Sequence, residues 1–134
     1  MCGAPALAAL GALRAGAGLV RIAVPRSIQG VVATIRPEAT TAGLDETRDG
    51  TLAAGAVAQA TAMAQAWDAV VVGPGVGRAA STQSAVRQLV ADTPRPLVVD
   101  ADALFALIAS GGAFARRTQP TVITPHEGEA ALLL

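Results

Sequence analysis

The chain predicts an α/β fold built on a mostly parallel sheet, and three features of the sequence carry that prediction. Short β-branched runs recur along it, alanine-rich segments of helical length separate them, and the inner runs are apolar without alternation. Val70-Val71-Val72 and Leu97-Val98-Val99 have no polar face, so helices are expected on both sides of the sheet. No internal repeat occurs and no linker is long enough to divide the chain, so one domain is expected over residues 1–134.

Ala4 to Ala15 predicts the first helix, closed by Gly16-Ala17-Gly18, whose small residues supply a C-cap and let helix and strand lie close. Strands are expected at Leu19 to Val24 and near Glu38 to Ala42, followed by a polar connection from Leu44 to Gly50. Leu52 to Ala66 reads as a helix with Gly55 as its weak spot, and Ala69 to Val72 as the next strand. Ser81 can cap a helix whose apolar positions Ala85, Val86, Leu89 and Val90 recur at helical spacing, and Thr93-Pro94-Arg95-Pro96 stops it. After a strand at Leu97 to Asp100, Asp102 can cap a helix carrying Leu104, Phe105, Leu107 and Ile108, ended by Gly111-Gly112. The last strand is expected at Thr121 to Thr124. The chain opens inside a helix with no strand before it and closes on Ala130-Ala131-Leu132-Leu133-Leu134 without a C-cap signal, so truncation at both ends is expected.

Composition narrows the function. A hydrophobic content of 52% over 134 residues suffices for one core. Ten basic residues balance ten acidic ones, and the aromatic content is 2%. Neither the positive field nor the stacking surface of a nucleic-acid binder is present, and a small-molecule partner is expected. Cys2 alone excludes an internal disulfide and a cysteine zinc site, in keeping with a reducing cytoplasm. The apolar run from Met1 to Val24 is broken by Arg14 and several glycines and lacks a basic leader, so neither a membrane span nor a signal segment is expected.

Three motifs fall at the carboxyl ends of expected strands, where ligands of open α/β sheets bind. Gly73-Pro74-Gly75-Val76-Gly77 links strand to helix, and its glycines either serve a tight turn or let backbone amides approach an anionic or polar group. It is not a P-loop, which ends in Lys-Ser/Thr, and the chain has no lysine. Asp100-Ala101-Asp102 offers two carboxylates that can hold Mg²⁺ through waters or orient a hydroxyl, although Asp102 is equally explained as a helix cap. Asp100 ends an apolar strand, where a carboxylate needs a partner. In Thr124-Pro125-His126-Glu127-Gly128-Glu129 the only histidine sits with two carboxylates in a tight loop. The spacing is not that of a zinc motif, but Pro125 stiffens the approach and Gly128 permits an unusual turn.

The order of these motifs is more specific than any one of them. Gly3-Ala4, Ala12-Leu13-Arg14-Ala15-Gly16-Ala17-Gly18-Leu19-Val20, Pro37-Glu38, Asp68 before Val70-Val71-Val72-Gly73-Pro74-Gly75-Val76-Gly77, Val99-Asp100-Ala101-Asp102-Ala103-Leu104 and Thr124-Pro125-His126-Glu127-Gly128-Glu129 together span nearly the whole chain. The series resembles the ADP- or ATP-dependent NAD(P)H-hydrate dehydratases. The resemblance implies a ribokinase-like three-layer sandwich that lacks here its first strand and its C-terminal nucleotide-binding and catalytic segment. It also implies repair of the S epimer of NADH or NADPH hydrate: phosphate passes to the ring hydroxyl, and the phosphoester then eliminates.

Carried over by residue, Ala4, Gly75, Gly77, Thr124, Pro125, His126, Gly128 and Glu129 would contact the hydrate, with His126 positioning substrate rather than acting as the base. Asp100 and Glu129 would lie near phosphate or metal. The catalytic aspartate would lie beyond Leu134, and the chain alone would be inactive. Mg²⁺ and ADP or ATP are the implied cofactor and co-substrate, and a homo-oligomer, in some proteins fused to an epimerase domain, is the implied assembly. Two departures stand out: Glu127 where the family more often has proline, and Phe105 where asparagine is common. The competing readings are another ribokinase-like kinase of a vitamin precursor, and a non-catalytic binding module.

Overall fold

The computed structural model describes residues 1–108 and 114–133. Five strands lie in two parallel ladders among the described residues. In the first, β1 (Arg21–Pro25) pairs with β2 (Thr40–Leu44), Arg21 opposite Thr40. In the second, β3 (Val70–Val72), β4 (Leu97–Val99) and β5 (Thr121–Ile123) run in that order, with Val70, Leu97 and Thr121 in register. The helices are α1 (Gly3–Arg14), α2 (Gln29–Ile35) after a 3₁₀ turn at Arg26–Ile28, α3 (Ala54–Ala64), α4 (Ala80–Asp92), α5 (Asp102–Ile108) and α6 (Glu127–Leu133). The parallel α/β alternation expected from the sequence is therefore present, with strand ends moved by one or two residues. No described helix is long and apolar enough to cross a membrane.

The local signals fare unevenly. Gly16, at φ 105°, closes α1: its N–H donates to the Leu13 carbonyl and that of Ala17 to the Ala12 carbonyl, the paired bonds of a Schellman C-cap. Gly55 is tolerated inside α3, where a Cβ would meet only the half-exposed Asp45 carboxylate, at 2.9 Å from Oδ2. Ser81 does not cap α4. That helix begins at Ala80 with Ala79 at its N-cap, and the Ser81 hydroxyl meets Thr51 Oγ1 instead. Asp102 opens α5, but its carboxylate leaves the helix for the glycine loop. The Gly111-Gly112 stop lies outside the described residues.

Among the described residues the two faces of the second ladder are covered unequally. Val72, Val86, Val90, Leu97, Val99, Leu104 and Leu107 form a buried cluster where α4 and α5 cover one side of the second ladder. Val71, Val98 and Val122 are in register and share the opposite side, and there Val71 is 54% and Val122 56% exposed. An apolar run without alternation states only that both faces are fit for burial; the cover must come from other elements. β1 behaves likewise, with Ile22 and Val24 buried against Ala9 and Val32 while Arg21 and Ala23 face solvent.

Candidate functional site

Three loops meet at the carboxyl ends of β3, β4 and β5. Gly73, at φ 130°, lies so near β4 that a Cβ would fall 1.7 Å from the Asp100 carbonyl oxygen, which excludes any side chain. Gly75, also in the left-handed region at φ 76°, approaches α1, where its Cβ position is 3.1 Å from the Ala4 Cβ. Gly77 has open space around its α-carbon; its N–H donates to Asp102 Oδ2 at 3.0 Å. The glycine loop is thus pinned by packing at one end and by a hydrogen bond at the other.

Asp100-Ala101-Asp102 reaches both neighbouring loops. Thr124 Oγ1 donates to Asp100 Oδ1 at 2.7 Å, tying the end of β5 to that of β4 and supplying the partner that Asp100 was expected to need. Asp102 receives Gly77 N–H and, on its other oxygen, Arg78 Nε at 3.0 Å. Between them Ala101 has φ 50°, the only positive value for a non-glycine residue among those described. Such backbone strain persists where the surroundings over-determine it, and here it lets successive carboxylates serve opposite loops.

The histidine loop is the first turn of α6. His126 Nδ1 accepts the N–H groups of Gly128 at 3.1 Å and Glu129 at 3.3 Å, and Glu129 Oε2 accepts the His126 N–H at 3.0 Å. This is a capping box with imidazole in place of a hydroxyl. His126 Nε2 stands 3.4 Å from Glu129 Oε1, and the Glu129 side chain is buried.

A cleft of about 490 Å³ opens beside these loops, lined by Ala4, Leu7, Pro74, Gly75, Asp100 and Asp102 among others. Of the residues expected to contact substrate, Ala4 and Gly75 line it, and Thr124 is one hydrogen bond away through Asp100. Gly77 borders it through Asp102. Pro125, His126, Gly128 and Glu129 lie in the adjoining turn and do not line this cleft.

Sequence reasoning passed over Arg78, which sits 3.5 Å from the Phe105 ring centroid and pairs with Asp102, and Gln83, which donates to the Gly77 and Asp102 carbonyls. The sequence offered no periodic signal for either, since their partners are distant in the chain. Asp100 and Glu129, expected near phosphate or metal, do not belong to a group of three or more His, Cys, Asp or Glu among the described residues; Mg²⁺ needs only one or two carboxylates when phosphate and water complete its shell. Glu129 Oε2 is committed to the His126 N–H and Asp100 Oδ1 to Thr124.

The NAD(P)H-hydrate dehydratase family profile matches residues 1–134. A bifunctional NAD(P)H-hydrate repair enzyme of Moorella thermoacetica is 42% identical over 134 residues, all of this chain and 25% of that protein. Among solved structures, a ribokinase-like superfamily protein of Enterococcus faecalis superposes with TM-score 0.74 at 21% identity, over 98% of this chain and 43% of that one. The ADP/ATP-dependent NAD(P)H-hydrate dehydratase of Bacillus subtilis, co-crystallised with ATP and Mg²⁺ and soaked with CoA, gives TM-score 0.61 at 30% identity, over 99% and 44%. The chain therefore spans a quarter to under half the length of these relatives. By fold, by its ordered motifs and by the family match over its whole length, the chain belongs to the NAD(P)H-hydrate dehydratase family.

Proposed function

We propose that this chain forms the substrate side of an enzyme that returns the S epimer of NADH or NADPH hydrate to the intact cofactor, with ADP or ATP as phosphate donor. The observation that carries the reading is the meeting of Ala4 and Gly75 in one cleft at the strand carboxyl ends, two residues far apart in sequence and both on the expected substrate wall. Its volume of about 490 Å³ is in the range of small-molecule sites.

The ring hydroxyl of the hydrate is a poor leaving group, and its phosphoester a good one. Phosphate transferred to that oxygen departs with it as the neighbouring ring proton is lost and the double bond is restored. This chain's part is positioning. Gly75 brings bare backbone to the cleft, Ala4 keeps the facing wall shallow, and Thr124 with Asp100 holds the ends of β4 and β5 together. The described residues hold no group of three or more His, Cys, Asp or Glu, so Mg²⁺ would be held largely by the nucleotide phosphates and water, where it would neutralise charge on the transferring group. The proton acceptor and the nucleotide phosphate site are assigned to polypeptide outside these residues, in keeping with the share of the relatives' length that the chain spans. Action in the cytoplasm as a homo-oligomer, with Mg²⁺ and in some proteins a fused epimerase domain, belongs to the same proposal.

The intact natural protein, given the S hydrate of NADPH and either ADP or ATP, is expected to regenerate NADPH, while residues 1–134 alone show no turnover. Preferential thermal stabilisation by thiazole or pyrimidine alcohols would assign the site to a vitamin-precursor kinase instead.

A further inference from the structure

Gly73 and Gly75 are glycines for want of space, since an added Cβ would meet Asp100 at the first and Ala4 and Pro5 at the second. Gly77 is different. Nothing lies within 4 Å of its Cβ position, yet it holds φ 84°. Its N–H donates to Asp102 Oδ2, its carbonyl accepts Gln83 Nε2 at 3.4 Å, and these are the polar contacts that fix it among the described residues. Asp102 spends its second oxygen on Arg78 Nε, and the Arg78 guanidinium is in turn laid on the Phe105 ring. With 17% of its side chain exposed, Asp102 is mostly shielded from water, and it also lines the cleft.

We infer that Asp102 is a positioning residue for the substrate: its carboxylate holds the far half of the glycine loop, and so sets the backbone that Gly75 presents to the cleft. The inference rests on the proposed function, since it takes the cleft as the hydrate site. Asp102 binds no reacting atom in this role; it acts through Gly77. Local control is expected because the charged partner Arg78 is 58% exposed, and an ion pair with one member so open to solvent adds little to global stability. A freed loop must be re-ordered at each binding event, which lowers affinity while the core is unchanged.

The test compares variants of the intact natural protein by titration with the S hydrate of NADPH and by amide hydrogen exchange. Asp102→Ala is expected to weaken binding at least about tenfold, the loss of one charge-assisted hydrogen bond. Gly77 exchange should quicken while Val86 and Val99, at the centre of the core, keep their protection. Asp102→Asn, whose amide oxygen still accepts from Gly77, is expected to stay within about threefold of the parent. Asp102→Ser, polar but one atom too short to reach Gly77, reads the same loss if the alanine variant does not fold. Parent-like affinity in the alanine or serine variant overturns the positioning role alone. So does failure of both to fold, which would make Asp102 a residue of the whole fold. A parent protein that does not bind the hydrate overturns the functional reading as well.

Discussion

His126 and Glu129 cap one another: the His126 N–H donates to Glu129 Oε2 while the imidazole Nδ1 accepts the Glu129 N–H. The pair closes the N-terminus of α6, whose first N–H groups have no partner inside the helix. Each of His126→Ala and Glu129→Ala is expected to cost about 1 kcal/mol in urea denaturation. The double variant should cost less than their sum, because either change alone breaks the reciprocal arrangement. Fully additive losses would show that the two side chains act separately.

Gly73 and Gly77 both have positive φ, but only Gly73 is crowded. Gly73→Ala would drive a methyl into the Asp100 carbonyl and is expected to cost at least about 3 kcal/mol or to prevent folding. Gly77→Ala meets open space and should cost about 1 kcal/mol, the penalty of a left-handed alanine. Thermal melts of the two variants side by side check the contrast.

Arg117 stitches the second ladder to α4, donating to the carbonyls of Val90, Thr93 and Arg95 and to Thr121 Oγ1. Arg117→Ala leaves these carbonyls short of a donor, at an expected cost of roughly 3 kcal/mol. Arg117→Lys should recover only part of it, since one ammonium cannot span the planar fork. Burial lowers the Arg117 pKa from its ordinary value. The folded chain therefore holds this proton less tightly than the unfolded chain, so this group's contribution to stability rises with pH only through the guanidinium range. At neutral pH it is flat. Denaturation midpoints for the parent and both variants, taken near neutral pH and in alkali, check magnitude and sign.

The two sides of the second ladder should respond differently to substitution. Val99 is fully buried, and Val99→Ala is expected to cost about 2 to 3 kcal/mol. Val71→Thr and Val122→Thr, on the open side, should each stay within about 0.5 kcal/mol of the parent. Equal losses on both sides, measured by chemical denaturation, would mean that the Val71 side is covered in solution.

From the sequence by itself came the α/β class, the parallel order and the places where chemistry-bearing residues gather. Those properties are written locally, in β-branched runs, helical spacing and glycines at strand ends, and local patterns survive without knowledge of neighbours. The Schellman cap at Gly16 and the helix stop at Thr93-Pro94 were legible for that reason. Direction and partnership were not. Ser81 and Asp102 are both good capping types, yet their side chains went to Thr51 and to Gly77 with Arg78, because a stronger or nearer partner from another element was available. His126, set among carboxylates in the sequence, became the cap of its own helix. Tertiary structure alone brought Ala4 against Gly75, left Val71 and Val122 open, and placed Ala101 in the left-handed region so that Asp100 and Asp102 serve opposite loops. Each of these depends on contacts between residues far apart in the chain, whose energies no local pattern encodes.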